Sequence, residues 1–172
     1  ELMVTDHIDI GSPDPLFEEL IDYDEYFDYV RQLEKKYDAR IRIGVEMGYQ
    51  PEFLEEIEAF VKRHPFDFVI GSIHFGDGLD FYNGDFFVGK TQQKAYLRYF
   101  EVVLDMVKHF NDFDVVGHLD YITRYGNYDL QCYEYSDYQD IIYEILTTLI
   151  EKGKGIEINT SGMRNDLNTF HP

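Results

Sequence analysis

Five apolar stretches of this sequence end in a side chain that can bind a metal or move a proton. LMVTDH ends in His7, IRIGVE in Glu46, FDFVIGSIH in His74 and FDVVGH in His118, while GIEIN closes with Glu157 and Asn159. Neutral imidazole and carboxylate are the ligands that suit zinc, manganese or iron. No cysteine stands at any of these ends, which argues against a thiolate-rich structural zinc site. Taken singly, each residue is better explained as a hydrogen-bonded loop residue, and Glu46 alone suits a cap on Gly48 or a pair with an arginine. Taken together, the five recur at one topological position, and the joint reading as a cluster is favoured. Two arginines follow closely, Arg124 in HLDYITRYG and Arg164 in EINTSGMR. A guanidinium binds phosphate through a planar fork, so metals and two arginines on one face would suit a phosphate monoester. A surface ion pair is the competing role for both. Tyr121, Tyr125 and Tyr128 could line the same mouth, although in a chain with 15 tyrosines a core or surface role is the stronger expectation.

The elements that must position these residues follow from hydrophobic periodicity. Helices are predicted from Asp24 as a cap through Tyr37, over PEFLEEIEAFVKRH with Pro51 in the first turn, over TQQKAYLRYFEVVLDMVKHF with Thr91 as N-cap, and over SDYQDIIYEILTTLIEKG ending at Gly153. The apolar runs between them are of strand type. Strand and helix in alternation read as βα units around a parallel sheet or barrel. In such a fold the C-terminal strand ends share one face, where active sites lie. His64 and His109 fall at helix ends, where the dipole favours them; His171 has no assigned role. Residues 76–89, GDGLDFYNGDFFVG, are predicted to form a glycine-rich loop or small hairpin making a surface excursion, with a lid over a site as the less favoured alternative.

Composition bounds the function classes. With 172 residues, 44% hydrophobic and 17% aromatic, the chain is long enough for one domain with a real core. The 34 acidic and 15 basic residues give a formal charge of −19, which argues against nucleic acid or an anionic membrane as partner. A small phosphorylated substrate is not excluded, because a local basic or metal-rich pocket overrides the global field. The lone cysteine, Cys132, fits a reducing compartment. No apolar run reaches the roughly 18 residues of a membrane span. The first residues lack the basic region of a signal peptide, so a cytoplasmic protein is expected.

TDH (5–7), GVEMGY (44–49), FDFVIGSIHF (66–75), VVGHLDYITRYG (115–126) and IEINTSGMR (156–164) resemble, in order, the polymerase-and-histidinol-phosphatase (PHP) superfamily. GHLDYITRYG followed by EINTSG is similar to its histidinol-phosphate phosphatase branch. The resemblance implies an α/β fold, a distorted (β/α)7 TIM-like barrel, represented here by its central βα units, with up to three divalent metals in a complete domain. By motif, Glu46 would bridge two metals, His74 and His118 would complete the second, and His7 would bind the third. Arg124 and Arg164 would hold the substrate phosphate, Glu157 and Asn159 would shape the pocket, and Asp120 would orient a group bound directly to metal. Glu46, His118 and Asp120 are then the implied catalytic group. The family's opening HxH strand and closing GSDxH strand are not in the sequence, so residues 1–172 are expected to form a single PHP domain incomplete at both ends.

The resulting expectation is metal-assisted hydrolysis of L-histidinol phosphate, a step of histidine biosynthesis. The alternatives are another PHP phosphoesterase or nuclease, which the charge disfavours, and a non-catalytic metal-binding fragment.

Overall fold

The structure, a computed structural model, describes residues 1–13, 21–129 and 132–164. Strands β1 (Leu2–Ile8), β2 (Ile41–Gly48), β3 (Phe68–Ser72), β6 (Val115–Val116) and β7 (Gly155–Ile156) form one parallel sheet in the order β1-β2-β3-β6-β7. Between them run helices α1 (Tyr23–Tyr37), α2 (Leu54–Arg63), α3 (Gln92–His109) and α4 (Tyr135–Glu151). A two-stranded hairpin, β4 (Phe75–Gly76) and β5 (Leu79–Asp80), follows β3, and a short α5 (Ser161–Arg164) ends the described chain. Each sheet strand pairs with the next one in sequence. Right-handed crossovers in such an order put all the helices on one face. The α/β class and parallel sheet are those expected, but the sheet is open among the described residues: β1 and β7 are edges, with no closure into a barrel.

Local sequence accounts for the helix ends with one change. Asp22, not Asp24, caps α1, its carboxylate accepting from the N–H groups of Asp24 and Glu25 at 3.0 and 3.1 Å. Thr91 caps α3 as expected, and Pro51–Phe53 forms a 3₁₀ turn leading into α2. Beyond α4, Gly153 has a φ of +65°, a conformation that favours glycine.

Parallel register makes the two sheet faces differ. His7 pairs with Glu46, Glu46 with Ile70, Ile70 with Val115 and Val115 with Gly155, so these residues share a face. The opposite face carries Val45, Met47, Val69 and Val116, which are buried with Tyr96, Tyr99, Phe100, Val103, Met106 and Val107 of α3 and Ile142, Ile145 and Leu149 of α4. Residues 76–89 are not a surface excursion: Phe81 and Phe86 are fully buried and Phe87 nearly so. Burying a phenylalanine contributes roughly 1.5–3 kcal/mol, which holds this glycine-rich stretch against the core.

At the strand starts one device appears twice. Ile43 N donates to Asp67 Oδ2 at 2.9 Å while Asp67 N donates to Ile43 O at 2.7 Å. Val69 N donates to Asp114 Oδ2 at 2.8 Å while Asp114 N donates to Val69 O at 2.8 Å. In both FD dipeptides the aspartate clasps the start of the preceding strand, filling a donor that the ladder leaves open.

Candidate metal centre

Glu46 is the hub. Its Oε1 accepts from Ser72 Oγ at 2.9 Å, His118 Nε2 at 2.9 Å and His74 Nε2 at 3.2 Å, and its Oε2 lies 3.1 Å from His7 Nε2. Three imidazoles from three strands thus aim the same ring nitrogen at one carboxylate. The cluster runs from the open edge inward: the His7 side chain is 60% exposed, those of Glu46 and His118 13% and 5%. His7 and Glu46 meet because they are cross-strand neighbours. His74 lies two residues beyond β3. His118 lies two beyond β6, where Gly117 N still donates to Gly71 O at 2.9 Å and prolongs the ladder.

Two glycines make this convergence possible. A Cβ on Gly117 would stand 2.4 Å from Ser72 Oγ and 2.8 Å from Ile70 Cγ2. A Cβ on Gly48 would stand 1.7 Å from Asp9 Oδ1, the atom that accepts from His74 Nδ1 at 2.8 Å.

Electrostatics divide the roles. Burial pushes the Glu46 carboxyl up, but its bonds to His118, His7 and His74 outweigh that and hold it far below the usual carboxylate range. Burial pushes His74 down, yet its bonds to Asp9 and Glu46 prevail and raise it to about 9. Burial dominates at His118 and keeps it below the ordinary imidazole value. Glu46 is therefore ionised at neutral pH, Asp9 and Glu46 favour a proton on His74, and burial favours a neutral His118.

The donor set fits a divalent transition metal. One ligand atom each from His7, Glu46 and His74 lies within 4.8 Å of the others. Two ligand atoms about 2.1 Å from a tetrahedral ion lie about 3.4 Å apart, a few tenths of an ångström wider than the Glu46–imidazole contacts. Asp9, by accepting from His74 Nδ1, fixes the ring and leaves Nε2 facing the centre, as outer carboxylates do for ligating histidines.

Around this hub the structure brings together most of the residues expected from sequence. Glu157 Oε2 accepts from the backbone N–H of His118 at 2.9 Å and from Asn159 Nδ2 at 3.2 Å. The glutamate thereby holds a residue whose φ of +23° lies in the left-handed region. Arg124 Nη2 donates to Ser161 Oγ at 2.9 Å and its guanidinium sits 5.2 Å from the Tyr121 ring centre. No carboxylate among the described residues forms an ion pair with Arg124, so the competing surface pair is not seen. The Arg164 side chain lies outside the described residues, as does His171.

The His118 ring is held by Glu46 and by Tyr121. His118 Nε2 bonds Glu46, and its Nδ1 has no hydrogen-bond partner among the described residues. Tyr121 stacks on the imidazole, with ring centres 4.3 Å apart and planes at 29°. The Asp120 carbonyl accepts from Thr123 N and Oγ1 at 2.9 and 2.8 Å, which fixes the turn Tyr121–Arg124.

Sequence reasoning missed Asp9, Ser72 and Asp80. Asp9 stands two residues after His7, a spacing that could have drawn notice, and Ser72 stands two before His74. Asp80 had no such signal. His7, Asp9, His74, Phe75, Asp80, Tyr82 and Tyr121 line one cleft of about 310 Å³.

An open parallel sheet gathers histidines and a glutamate at its C-terminal edge, and residues 1–161 match the PHP domain. The chain belongs to that family. It is 36% identical over 163 residues to the histidinol-phosphatase of Lactococcus lactis subsp. lactis (strain IL1403), covering 93% of this chain and 60% of that protein. It is 32% identical to the probable histidinol-phosphatase of Clostridium acetobutylicum, covering 92% of this chain and 61% of the relative. The crystal structure of the Lactococcus histidinol phosphate phosphatase in complex with zinc, L-histidinol and phosphate superposes with a TM-score of 0.85 over 92% of this chain and 60% of its own. The chain thus spans about 60% of the length of these relatives.

Proposed function

We propose that the protein is a metal-dependent phosphomonoesterase that hydrolyses L-histidinol phosphate. The observation that carries this reading is the convergence of His7, His74 and His118 on the Glu46 carboxylate. The similarity to histidinol-phosphatases supports it. Zinc, manganese or iron held by these four residues would supply the positive charge that polarises a phosphoryl oxygen and activates water.

The chain's own groups divide the remaining work. Glu46, ionised and nearly enclosed, gives a cation its anionic partner and keeps three imidazoles in a common orientation. Asp9 holds the His74 ring in a single orientation. Arg124, with no carboxylate ion-pair partner among the described residues, offers its fork to the phosphate, with Arg164 as its companion. Glu157 and Asn159 shape the pocket wall by fixing the His118 backbone. A nuclease reading finds no support in a chain of formal charge −19. No helix among the described residues is long and apolar enough to cross a membrane. A cytoplasmic location is part of the proposal, and the single exposed thiol of Cys132 is what supports it.

The test is metal analysis combined with phosphatase assay of Glu46→Ala and His118→Ala against the native protein supplied with manganese, zinc or iron. Glu46→Ala is expected to lose most bound metal and at least a thousandfold in kcat/KM, and His118→Ala to follow in the same direction. Unchanged metal and activity in both would overturn the assignment. Metal bound without hydrolysis by the native protein would favour the non-catalytic reading.

A further inference from the structure

The last paired residues of β1 and β2 are Ile8 and Met47. Asp9, which fixes the His74 ring, is the first residue beyond that ladder. Its position is therefore not set by strand pairing, and the segment that follows β2 sets it with side chains instead. Gln50 Nε2 donates to the carbonyl oxygen of Ile10 at 2.8 Å, joining two residues 40 apart in sequence. Phe53 lies against Gly11, where a Cβ would stand 2.2 Å from Phe53 Cε2 and where φ is +72°. Ser12 N donates to Asp9 O at 3.1 Å and closes the turn.

Gln50 is itself firmly placed. It is only 5% exposed, and buried amides of this kind are hydrogen-bonded as a rule. The residue before it is held twice: Tyr49 N donates to Ser72 O at 2.8 Å, and the Tyr49 hydroxyl donates to Asp105 Oδ2 of α3 at 2.6 Å. On the other side, Phe53 N donates to Gln50 O at 3.1 Å and begins the 3₁₀ turn. The Gln50 amide thus reaches the β1 turn from a backbone pinned to β3 and α3. Its bond runs from side chain to main chain, so it can be removed without breaking any pair of the sheet.

We propose that Gln50 is a positioning residue of the metal centre: by holding the Ile10 carbonyl it fixes the turn that delivers Asp9 to His74. This rests on reading Glu46 and the histidines as a metal centre. The line of contacts runs from Gln50 Nε2 to Ile10 O, back one residue to Asp9, from Asp9 Oδ1 to His74 Nδ1 at 2.8 Å, and from His74 Nε2 to Glu46 Oε1 at 3.2 Å. Gly48 backs the same carboxylate, leaving no room for a Cβ beside Asp9 Oδ1. Asp9 is thereby confined from two sides, by Gly48 against its side chain and by Gln50 through its backbone. An outer carboxylate aids a ligating imidazole only while it stays in line with it, and Gln50 supplies that alignment.

The test uses Gln50→Met, which keeps the length and unbranched shape of the side chain and removes only the amide. Zinc affinity, by calorimetric titration of the metal-free protein, is expected to fall about 3- to 10-fold, the effect of one neutral hydrogen bond. Because Gln50 acts through Asp9, its loss adds nothing once Asp9 is replaced. The double variant Gln50→Met/Asp9→Asn should bind zinc within about twofold of Asp9→Asn alone. Losses that multiply across the two positions, or no loss in Gln50→Met, would overturn the proposal. If Gln50→Met does not fold, Gln50→Glu enters the same cycle, setting a carboxylate against the Ile10 carbonyl oxygen. Proton NMR of the metal-free protein gives a second readout. The His74 Nδ1–H signal, identified by its absence in Asp9→Asn, should broaden or vanish in the Gln50 variant, and its persistence means that Gln50 does not align Asp9. Failure of the native protein to bind zinc would instead remove the metal-centre reading. The NMR signal then still decides whether Gln50 places Asp9 on His74.

Discussion

Strands β1, β2 and β3 run for seven, eight and five residues, and His7 and Glu46 reach the site directly from paired positions in that ladder. Strands β6 and β7 pair for only two residues each, and His118 and Glu157 reach the same point from just beyond them. In the first half, position follows from the period of the strand: a residue two further along faces the same way. In the second half it follows from individual bonds, chiefly the Glu157 carboxylate on the His118 N–H and the Tyr121 ring on the imidazole. A ladder tolerates the loss of one side chain because its neighbours keep the register. A turn held by two or three contacts does not.

The contrast is sharpest at Gly117, where a short strand passes into its turn. Gly117→Ala forces a Cβ against Ser72 Oγ and Ile70 Cγ2, both packed in the sheet. It is expected to lower stability by about 1–3 kcal/mol and to displace His118, so thermal unfolding and metal content should fall together. An unchanged melting temperature would mean the turn half is as tolerant as the ladder half. Asp9→Asn probes the residue just beyond the β1 end of the ladder and should act on chemistry alone. Metal affinity is expected to drop about 10- to 100-fold with the melting temperature of the metal-free protein little changed. A fold lost along with the metal would erase the distinction. Arg124→Ala gives the smallest effect, raising KM for the phosphorylated substrate several-fold more than it alters metal content. A normal KM would remove Arg124 from the phosphate site.

The same contrast explains what could be read from sequence. His7, Glu46, His74 and His118 were legible because each ends an apolar run, and strand geometry converts that into a shared edge. The helical faces were legible for the same reason of period, with Tyr96, Tyr99, Phe100, Val103 and Val107 buried together on α3. Asp9 and Asp80 were not: Asp9 acts from just beyond β1, and Asp80 sits in a two-residue strand, too short for any repeat to mark the direction of its side chain. The hairpin was misjudged because its glycines suggest exposure, whereas Phe81 and Phe86 are drawn under it by the core. Tyr121, which follows Asp120, was not singled out as the ring that stacks on His118. The bulk of Tyr121, one residue on, fills the space against His118, and no local pattern shows which of two adjacent polar residues will do so. Barrel closure lay beyond what five strands can display.

The two aspartate clasps at Asp67 and Asp114 bear on how this protein can change over generations. They fix the phase of β2 with β3, and of β3 with β6, at the end of the sheet remote from the site. A slip of one residue would turn every functional side chain of a strand to the opposite face, and the clasps resist that slip from below. The turns above are thereby released from keeping register. An insertion after Tyr82 or after the Tyr121–Arg124 turn lengthens a wall of the cleft without rotating the histidines away from one another. Substrate preference can drift in those loops while the bearings of the ligands pass on unaltered.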